Sequence, residues 1–92
     1  MAIQDLTTRY CWGDIWSRPG LEKKQRSMLN LAIIAVLNRP RELKAHVRGA
    51  LTNGVTKDEI KEILLQVAVY AGVPAGMYSF RIAREAFAEL GK

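Results

Sequence analysis

Cysteine and histidine are almost absent from this chain of 92 residues, which contains one of each, Cys11 and His46. A lone cysteine cannot form an internal disulfide or a CxxC pair. One cysteine and one histidine also leave too few ligands for a zinc or iron site within one chain. We therefore expect a protein that uses no metal and no cofactor.

Long hydrophobic runs are also missing. The longest, residues 28–37 with Asn30 inside it, falls short of the roughly 17 to 25 apolar residues that a membrane span needs. The chain does not open with a charged region, an apolar stretch and a small-residue cleavage site, which together would indicate a secretory signal. The sequence therefore predicts no membrane segment and a cytoplasmic location.

A basic stripe is missing as well, although the formal net charge is +5. The basic residues are dispersed in EKKQR, RPRELK, KDEIK and RIAR, with acids interleaved in most of these groups, and no helix-turn-helix turn or aromatic RNA-binding signature accompanies them. Solvated helix faces are the favoured interpretation, and we expect no nucleic-acid partner. The alternative, nucleic-acid binding through the basic surface, predicts an affinity that falls steeply with salt.

No strand pattern of note occurs, and the chain is predicted to be a single all-α domain over residues 1–92. Breakers divide it into four helices near residues 21–38, 40–52, 56–71 and 74–90. Asn53-Gly54 predicts a left-handed cap, and Thr56 with Glu59 forms the S/T-x-x-E capping box. Short connections favour an antiparallel bundle. The predicted apolar stripe of the fourth helix comprises Phe80, Ala83, Phe87 and Leu90.

Residues 1–20 are predicted to form a short helix followed by an irregular hydrophobic strap that carries Tyr10, Trp12 and Trp16. The second half of the helix at 21–38 is apolar on every side, so it must be enclosed. A chain of this length buries only about 60 to 65% of its unfolded surface. Self-association would cover the remaining apolar surface.

Polar residues align on the helix at 56–71. At about 100° per residue, Glu59, Gln66 and Tyr70 lie within roughly 40° of one another, together with Ile63. One interpretation is a functional line that begins at a carboxylate. The other is that Gln66 and Tyr70 satisfy buried backbone or cross-subunit groups.

His46 is the leading general acid or base, because its unperturbed pKa lies near neutrality. It borders the apolar stripe of its helix, so a hydrogen-bonded core histidine is the alternative. Arg39 and Arg48 are candidate carboxylate-binding residues. Arg48 projects roughly 160° away from His46 on an ideal helix, so a pocket served by both would need a neighbouring chain.

Three ordered blocks resemble the carboxymuconolactone decarboxylase family of the alkylhydroperoxidase D-like superfamily. They are TRYCWGDIWSRPGLEKKQRSMLNLA, RELKAHVRGALTNGVTKDEIKEILLQVAVYAGVPAG and SFRIAREAF, and the likeness extends from about Thr8 to Glu89. The resemblance implies an all-α antiparallel fold that associates as a trimer or hexamer. It also implies decarboxylation of 4-carboxymuconolactone to the β-ketoadipate enol-lactone in protocatechuate breakdown, with His46 at the family's catalytic histidine and Glu59 at its glutamate.

Two departures from the superfamily narrow this expectation. Its redox branch carries a Cys-x-x-Cys-x-x-x-His run where this chain has Ala71, Pro74 and Tyr78, so dithiol peroxidase chemistry is not expected. The well-studied decarboxylases commonly have histidine at the position of Gln66 and carry a further N-terminal portion, so this chain is expected to be N-terminally short.

The sequence therefore predicts a small lyase that acts on an acidic lactone and associates with itself. We expect catalytic roles for His46, Glu59 and Tyr70. The expected substrate-binding residues are Gln66, Arg39, Arg48, Trp12 and Trp16. The pocket is expected between the helices at 40–52 and 56–71, closed by the aromatic strap or a neighbouring subunit. The alternative is an inactive oligomeric homologue of the same fold that serves as a binding or structural module.

Overall fold

A computed structural model describes residues 2–91, with the side chain of Trp12 excepted. All regular elements among the described residues are helices and no strand occurs there, so the predicted all-α class is confirmed. Its elements are α1 (Ala2–Leu6), a π-helical segment (Thr7–Ile15), α2 (Lys23–Leu37), α3 (Pro40–Thr52), α4 (Lys57–Ala71) and α5 (Val73–Glu89). None of the described helices combines the length and the hydropathy needed to cross a bilayer.

The helices begin and end close to the capping and breaking residues from which the sequence predicted their boundaries. Asn38 ends α2 in the left-handed region, with φ 58°, and Pro40 opens α3. Gly54 has φ 94° just after α3, where a side chain would be strained. The Thr56 backbone N–H donates to Glu59 Oε1 at 2.9 Å, and the Glu59 N–H donates to Thr56 Oγ1 at 3.0 Å. The predicted capping box is therefore formed.

The core lies among α2, α3, α4 and α5. The α2 helix packs against α3 and α4, and α5 packs against the same two helices. The buried cluster comprises Leu31, Ala35, Leu43, Val47, Ala50, Val55, Ile60, Leu64, Val67, Ile82, Ala83 and Ala86. Helical spacing of these side chains turns one face of each helix inward.

The α4–α5 crossing depends on a glycine. A Cβ atom placed on Gly76 would lie 2.4 Å from Ala68 Cβ and 2.9 Å from Ala68 Cα. The turn between the two helices depends on Gly72, whose φ is 110°. Gly76 therefore permits the close packing of α4 and α5, and Gly72 permits the turn that joins them.

The N-terminal region corrects one expectation. Instead of an irregular strap, helical backbone continues from α1 through the π-helical segment to Ile15, and the Trp16 N–H donates to the Cys11 carbonyl at 2.9 Å. Gly13 does not break this segment, and proline, the stronger breaker, first occurs at Pro19. The segment packs little against α2–α5, and Ile3 is 68% exposed. Trp16, at 8% exposure, is the first residue that the structure describes as buried, and residues 17–23 after it are exposed again.

A single chain leaves much apolar surface uncovered. On α2, Leu29, Ile33, Val36 and Leu37 are each more than half exposed, although this half of the helix was expected to be enclosed. Val69 on α4 is 78% exposed. Association of several copies, which would cover this surface, stays a prediction.

Candidate active site

A groove of about 620 Å³ lies between α2 and α4. From α2 and the residues before it, the lining comprises Leu21, Gln25, Met28, Leu29, Ala32 and Val36. From α4, it comprises Ile63, Gln66, Val67, Tyr70 and Ala71. The groove is therefore apolar over most of its surface, with two amides and one phenol as its polar side chains. Its position differs from the expected pocket between α3 and α4.

A second recess of about 340 Å³ adjoins the groove at the N-terminal end of α4. It shares Met28, Ile63 and Gln66 with the groove and adds Asp58, Glu59 and Glu62. The two cavities are adjacent, and we refer to them together as the channel: the groove is its apolar end, the recess is its acidic end, and Gln66 lines both.

One face of α4 builds this wall. Glu59, Ile63, Gln66 and Tyr70 are separated by three or four residues, and residues at these separations share a helix face. Glu59 and Tyr70 accordingly line the two ends of the channel. The predicted alignment of the carboxylate, the amide and the phenol is therefore observed.

Both carboxylate oxygens of Glu59 are engaged. Oε1 accepts the Thr56 N–H, and Oε2 lies 3.1 Å from Lys24 Nζ of α2. The hydrogen bond from the Thr56 backbone, assisted by Lys24, holds the pKa of Glu59 below its ordinary value. Glu59 is therefore ionised at neutral pH, and it joins α2 to α4 at the acidic end of the channel.

The side chains of Gln66 and Tyr70, unlike that of Glu59, are exposed and unpaired within the described chain. Both are exposed in the single chain, Tyr70 to 84%, and neither side chain forms a hydrogen bond with another described residue. They therefore do not satisfy buried polar groups of their own chain. Their amide and hydroxyl are available to a ligand in the groove or to a second copy of the protein.

His46 lies outside the groove. Asn53, seven residues later and hence on nearly the same face of α3, donates from Nδ2 to Ser27 Oγ of α2 at 2.9 Å. This places His46 on the α3 flank of α2, whereas Met28 and Ala32 face α4 across the groove. Burial lowers the pKa of His46, and the negative charge of Glu42 opposes that shift in part. The neutral imidazole therefore predominates at neutral pH.

The two candidate arginines do not line the groove either. Arg48 pairs with Glu89 of α5, and it borders a separate cavity with Lys44. Arg39 is exposed at the N-terminus of α3. Arg48 faces α5, and His46 does not line the cavity that Arg48 borders.

Trp16 is not among the residues that line the groove. Trp16 is buried just after the N-terminal helical segment. The side chain of Trp12 lies outside the described residues.

Sequence reasoning missed Gln25. It lines the α2 wall of the groove, and its Oε1 accepts the Glu22 N–H at 3.0 Å at the start of α2. Its position three residues after the N-cap is a signal that could have drawn attention to it, because a Gln there commonly bonds back to the N-cap. The α2 wall was not considered because its apolar run indicated core.

Comparison with known proteins identifies the class to which this fold and groove belong. The sequence profile of the carboxymuconolactone decarboxylase family matches residues 2–85. The chain belongs to this family.

Three known proteins are similar in sequence to this chain. A 4-carboxymuconolactone decarboxylase of Acinetobacter baylyi is 44% identical over 97% of this chain. A nitrosuccinic acid decarboxylase of Metarhizium robertsii is 50% identical over 78% of it. An uncharacterized 15.0 kDa protein of Paracoccus denitrificans is 37% identical over 85%. The chain spans 66%, 50% and 60% of the lengths of these relatives, respectively.

Proposed function

We propose that this protein is a cofactor-independent decarboxylase of a small carboxylated acid, with 4-carboxymuconolactone or a related acidic lactone as substrate. The observation that carries the proposal is the groove between α2 and α4, an apolar surface on which Gln66 and Tyr70 offer uncharged hydrogen-bond donors. An apolar surface disfavours a carboxylate, and neutral donors favour the charge that forms when it leaves.

The proposed step balances within the substrate and one proton. The bond between the carboxylate carbon and the ring breaks, CO₂ leaves, and the electron pair is delocalised toward the lactone carbonyl oxygen. Donation from Gln66 Nε2 or the Tyr70 hydroxyl stabilises that oxygen, and one preorganised donor is worth on the order of 3 kcal/mol. A proton from solvent, relayed through His46 of a second copy, then takes the place of CO₂ on the carbon, and no oxidant or reductant takes part.

The activities for which two relatives are named support this chemistry. One is named for a lactone and the other for a nitro acid. In both substrates an electron-withdrawing group with oxygen atoms can accept the electron pair that CO₂ leaves behind. A groove that supplies uncharged donors to such an oxygen suits either molecule, so the substrate class is proposed more broadly than the single lactone.

His46 enters the proposal as the proton donor or acceptor contributed by a second copy. Within one chain, His46 does not line the groove. The groove itself is open, and apolar residues such as Leu29 and Val36 are exposed along it. A copy packed on this surface would bury it and would be positioned to supply the imidazole. Arg39 or Arg48 of that copy is proposed to supply a cation for a substrate carboxylate that is retained.

Glu59 is proposed to position the site rather than to transfer the proton. Its carboxylate is ionised and bonded to Thr56 and Lys24, so it has no proton to give at neutral pH. Its bridge between α2 and α4 sets the width of the channel at the acidic end.

The direct test is incubation of the purified protein with 4-carboxymuconolactone and, separately, with nitrosuccinate. We expect loss of substrate and release of one equivalent of CO₂ well above the spontaneous rate with at least one of them. The double variant Gln66→Leu with Tyr70→Phe is the matched control, since it leaves the groove apolar and removes its α4 donors. Loss at the spontaneous rate with both acids would overturn the proposed activity.

A second candidate function is a non-catalytic oligomeric module. The position of His46 outside the groove favours it, as does the large exposed apolar surface of α2. This candidate predicts a stable oligomer in which the groove is filled by side chains of another copy. A structure of the assembly that shows a groove still open to a seven-carbon lactone with two carboxylates would exclude it.

A further inference from the structure

The α2 helix has two apolar faces, and one of them points away from the core of its own chain. The inner face is formed by three buried residues, Ser27, Leu31 and Ala35. The outer face carries Leu29, Ile33 and Val36, each more than half exposed. One apolar face is enough to attach a helix to its own chain, and a contiguous exposed one marks an interaction surface.

The outer residues follow the spacing by which two α-helices pack side by side. Arg26, Leu29, Ile33 and Val36 are separated by three, four and three residues. These separations match the a, d, a and d positions of a heptad, which lie along one line of the helix surface. We call these four residues the α2 seam. A second copy of α2 carries the same spacing, so the seam is complementary to itself.

The residue types on the seam favour two helices that run in the same direction. Arg26 and Ile33 stand at a positions, and Leu29 and Val36 stand at d positions. In a parallel pair each of them meets the same residue of the other helix, and a β-branched residue at a with leucine at d favours two strands. A single polar residue at an a position, here Arg26, sets the register of such a pair.

The charges at the start of α2 favour the same direction. Neither Lys23 nor Arg26 forms an ion pair within the described chain. Three carboxylates without an ion pair there lie at the same end of the molecule, those of Glu22, Asp58 and Glu62. A parallel pair brings the acids of each copy to the two Arg26 side chains and offsets their mutual repulsion. An antiparallel pair would instead bring Arg26 toward Arg39 and Arg41 at the start of the other copy's α3.

A parallel pair also closes the groove. Gln25 and Ala32 line the groove on one side of the seam. The α3 helix packs on the other side, where Asn53 Nδ2 donates to Ser27 Oγ. A twofold axis parallel to the two α2 helices exchanges these sides, so the groove of one copy faces α3 of the other. An antiparallel pair would set groove against groove.

We propose that the α2 seam is an interface between two copies of this chain, whose α2 helices pack in the same direction so that each copy covers the other's groove with its α3 helix. The site is incomplete in a single chain, because the α3 helix that covers the groove belongs to the second copy. This inference rests on the proposed function only for the role of His46 of one copy beside Tyr70 of the other.

The first test measures association. We expect light scattering and sedimentation to give the wild type the mass of a dimer or of an even multiple of it. Ile33→Glu sets two carboxylates against each other in the seam, so the concentration needed for pairing should rise at least tenfold. Ile33 is 53% exposed, so the circular dichroism of the variant should match that of the wild type. Met77→Glu on α5, where Met77 is 68% exposed, is the matched control and should pair like the wild type.

The second test measures the direction of the two helices. Both cysteine variants carry Cys11→Ser, so that each chain has one thiol. Val36 lies near the end of α2, so two copies of Val36→Cys come together only in a parallel pair. Copper-catalysed air oxidation should join them through a disulfide, seen as a dimer on a non-reducing gel. Met77→Cys is the control and should stay a single chain on the gel.

The two tests can overturn the inference separately. A monomeric or trimeric wild type, or association of Ile33→Glu at wild-type concentrations, would remove the interface. Absence of the cross-link in Val36→Cys would remove the parallel direction. Neither readout depends on turnover. If the pair forms while neither candidate acid is decarboxylated, the proposed activity fails and the interface stands, whereas decarboxylation by a monomeric wild type would leave the activity and overturn the interface.

Discussion

Lys24 Nζ lies 3.1 Å from Glu59 Oε2, and this ion pair joins the first turn of α2 to the first turn of α4 at the acidic end of the groove. The same carboxylate caps α4 through Thr56. The Glu59 side chain therefore caps the N-terminus of α4, connects α4 to α2 and borders the candidate site. Its ionisation should affect the stability of the fold and the width of the channel together.

The pH dependence of stability should report on Glu59. The hydrogen bond from Thr56 and the charge of Lys24 hold its folded pKa below 4.5, its ordinary value. A carboxyl group with a depressed folded pKa stabilises the protein fully above the unfolded pKa, and this contribution is lost as the pH falls through the folded pKa. Glu59→Gln retains a capping oxygen without the charge, so its melting temperature should decline less steeply below pH 4.5.

Glu62→Gln is the control for this measurement, because Glu62 borders the same recess and forms no ion pair within the described chain. Its melting curves should follow those of the wild type through the acid range. If Glu62→Gln and Glu59→Gln flatten the acid transition equally, the ion pair with Lys24 is not responsible for the dependence.

The close approach of α4 and α5 predicts opposite effects of alanine at two helical glycines. At Gly76 a new Cβ would lie 2.4 Å from Ala68 Cβ, so Gly76→Ala should destabilise the fold by about 1 to 3 kcal/mol. At Gly49, inside α3, nothing lies within 4 Å, so Gly49→Ala should stabilise it by about 0.5 to 1 kcal/mol. Urea unfolding of both variants tests the pair. Equal effects would mean that α4 and α5 can separate without cost.

Much of the fold could be predicted because short-range chemistry controls where helices start and end. The αL residue Asn38, the first-turn Pro40, the positive-φ Gly54 and the Thr56–Glu59 box all mark boundaries, and the structure has boundaries there. Such signals act over a few residues, so they can be recognised in one sequence. The alignment of Gln66 with Tyr70 follows from helix periodicity in the same way.

The side of each helix that packs inward was harder to predict. On α5, Phe80 and Phe87 are only partly buried and Leu90 is 41% exposed, whereas Ser79 and Ala86 are buried. The contact of α5 with α4 requires small residues, beginning with Gly76. The spacing of hydrophobic residues does not indicate where such small residues are needed. The position of the groove was missed for a related reason, because it depends on which two helices become neighbours.

Burial of His46 should make the free energy of unfolding depend on pH near neutrality. Burial lowers its folded pKa from the ordinary 6.5, with Glu42 opposing in part. The unfolded chain then binds more protons than the folded one between the two pKa values, so stability falls as the pH decreases below 6.5. His46→Gln should remove this slope from chemical unfolding measured between neutral and mildly acidic pH. An unchanged slope in the variant would assign the dependence to another group.

The hydroxyl of Tyr70 is expected to act on the reaction rather than on the fold. Tyr70→Phe keeps the ring on the groove wall and removes one donor, so kcat should fall by roughly 100-fold, since one preorganised donor is worth about 3 kcal/mol. Tyr70 is 84% exposed, so the melting temperature should not change. Tyr78→Phe on α5, outside the groove, is the control and should retain full activity. Equal kcat values for Tyr70→Phe and the wild type would remove the phenol from the mechanism.

Sharing of the site between copies can be tested by complementation. His46 lies on the α3 flank of α2 and Tyr70 on the α4 wall, so one groove would combine Tyr70 of one copy with His46 of another. His46→Gln and Tyr70→Phe should each have low activity alone, and oligomers that mix the two should regain part of it. Sites that receive both wild-type residues would account for that recovery.

Mixing is to be done by refolding the variants together, with each variant refolded alone as the control. Activity of the mixture equal to the mean of the two controls would place His46 and Tyr70 of the same copy in each site, or exclude His46 from it.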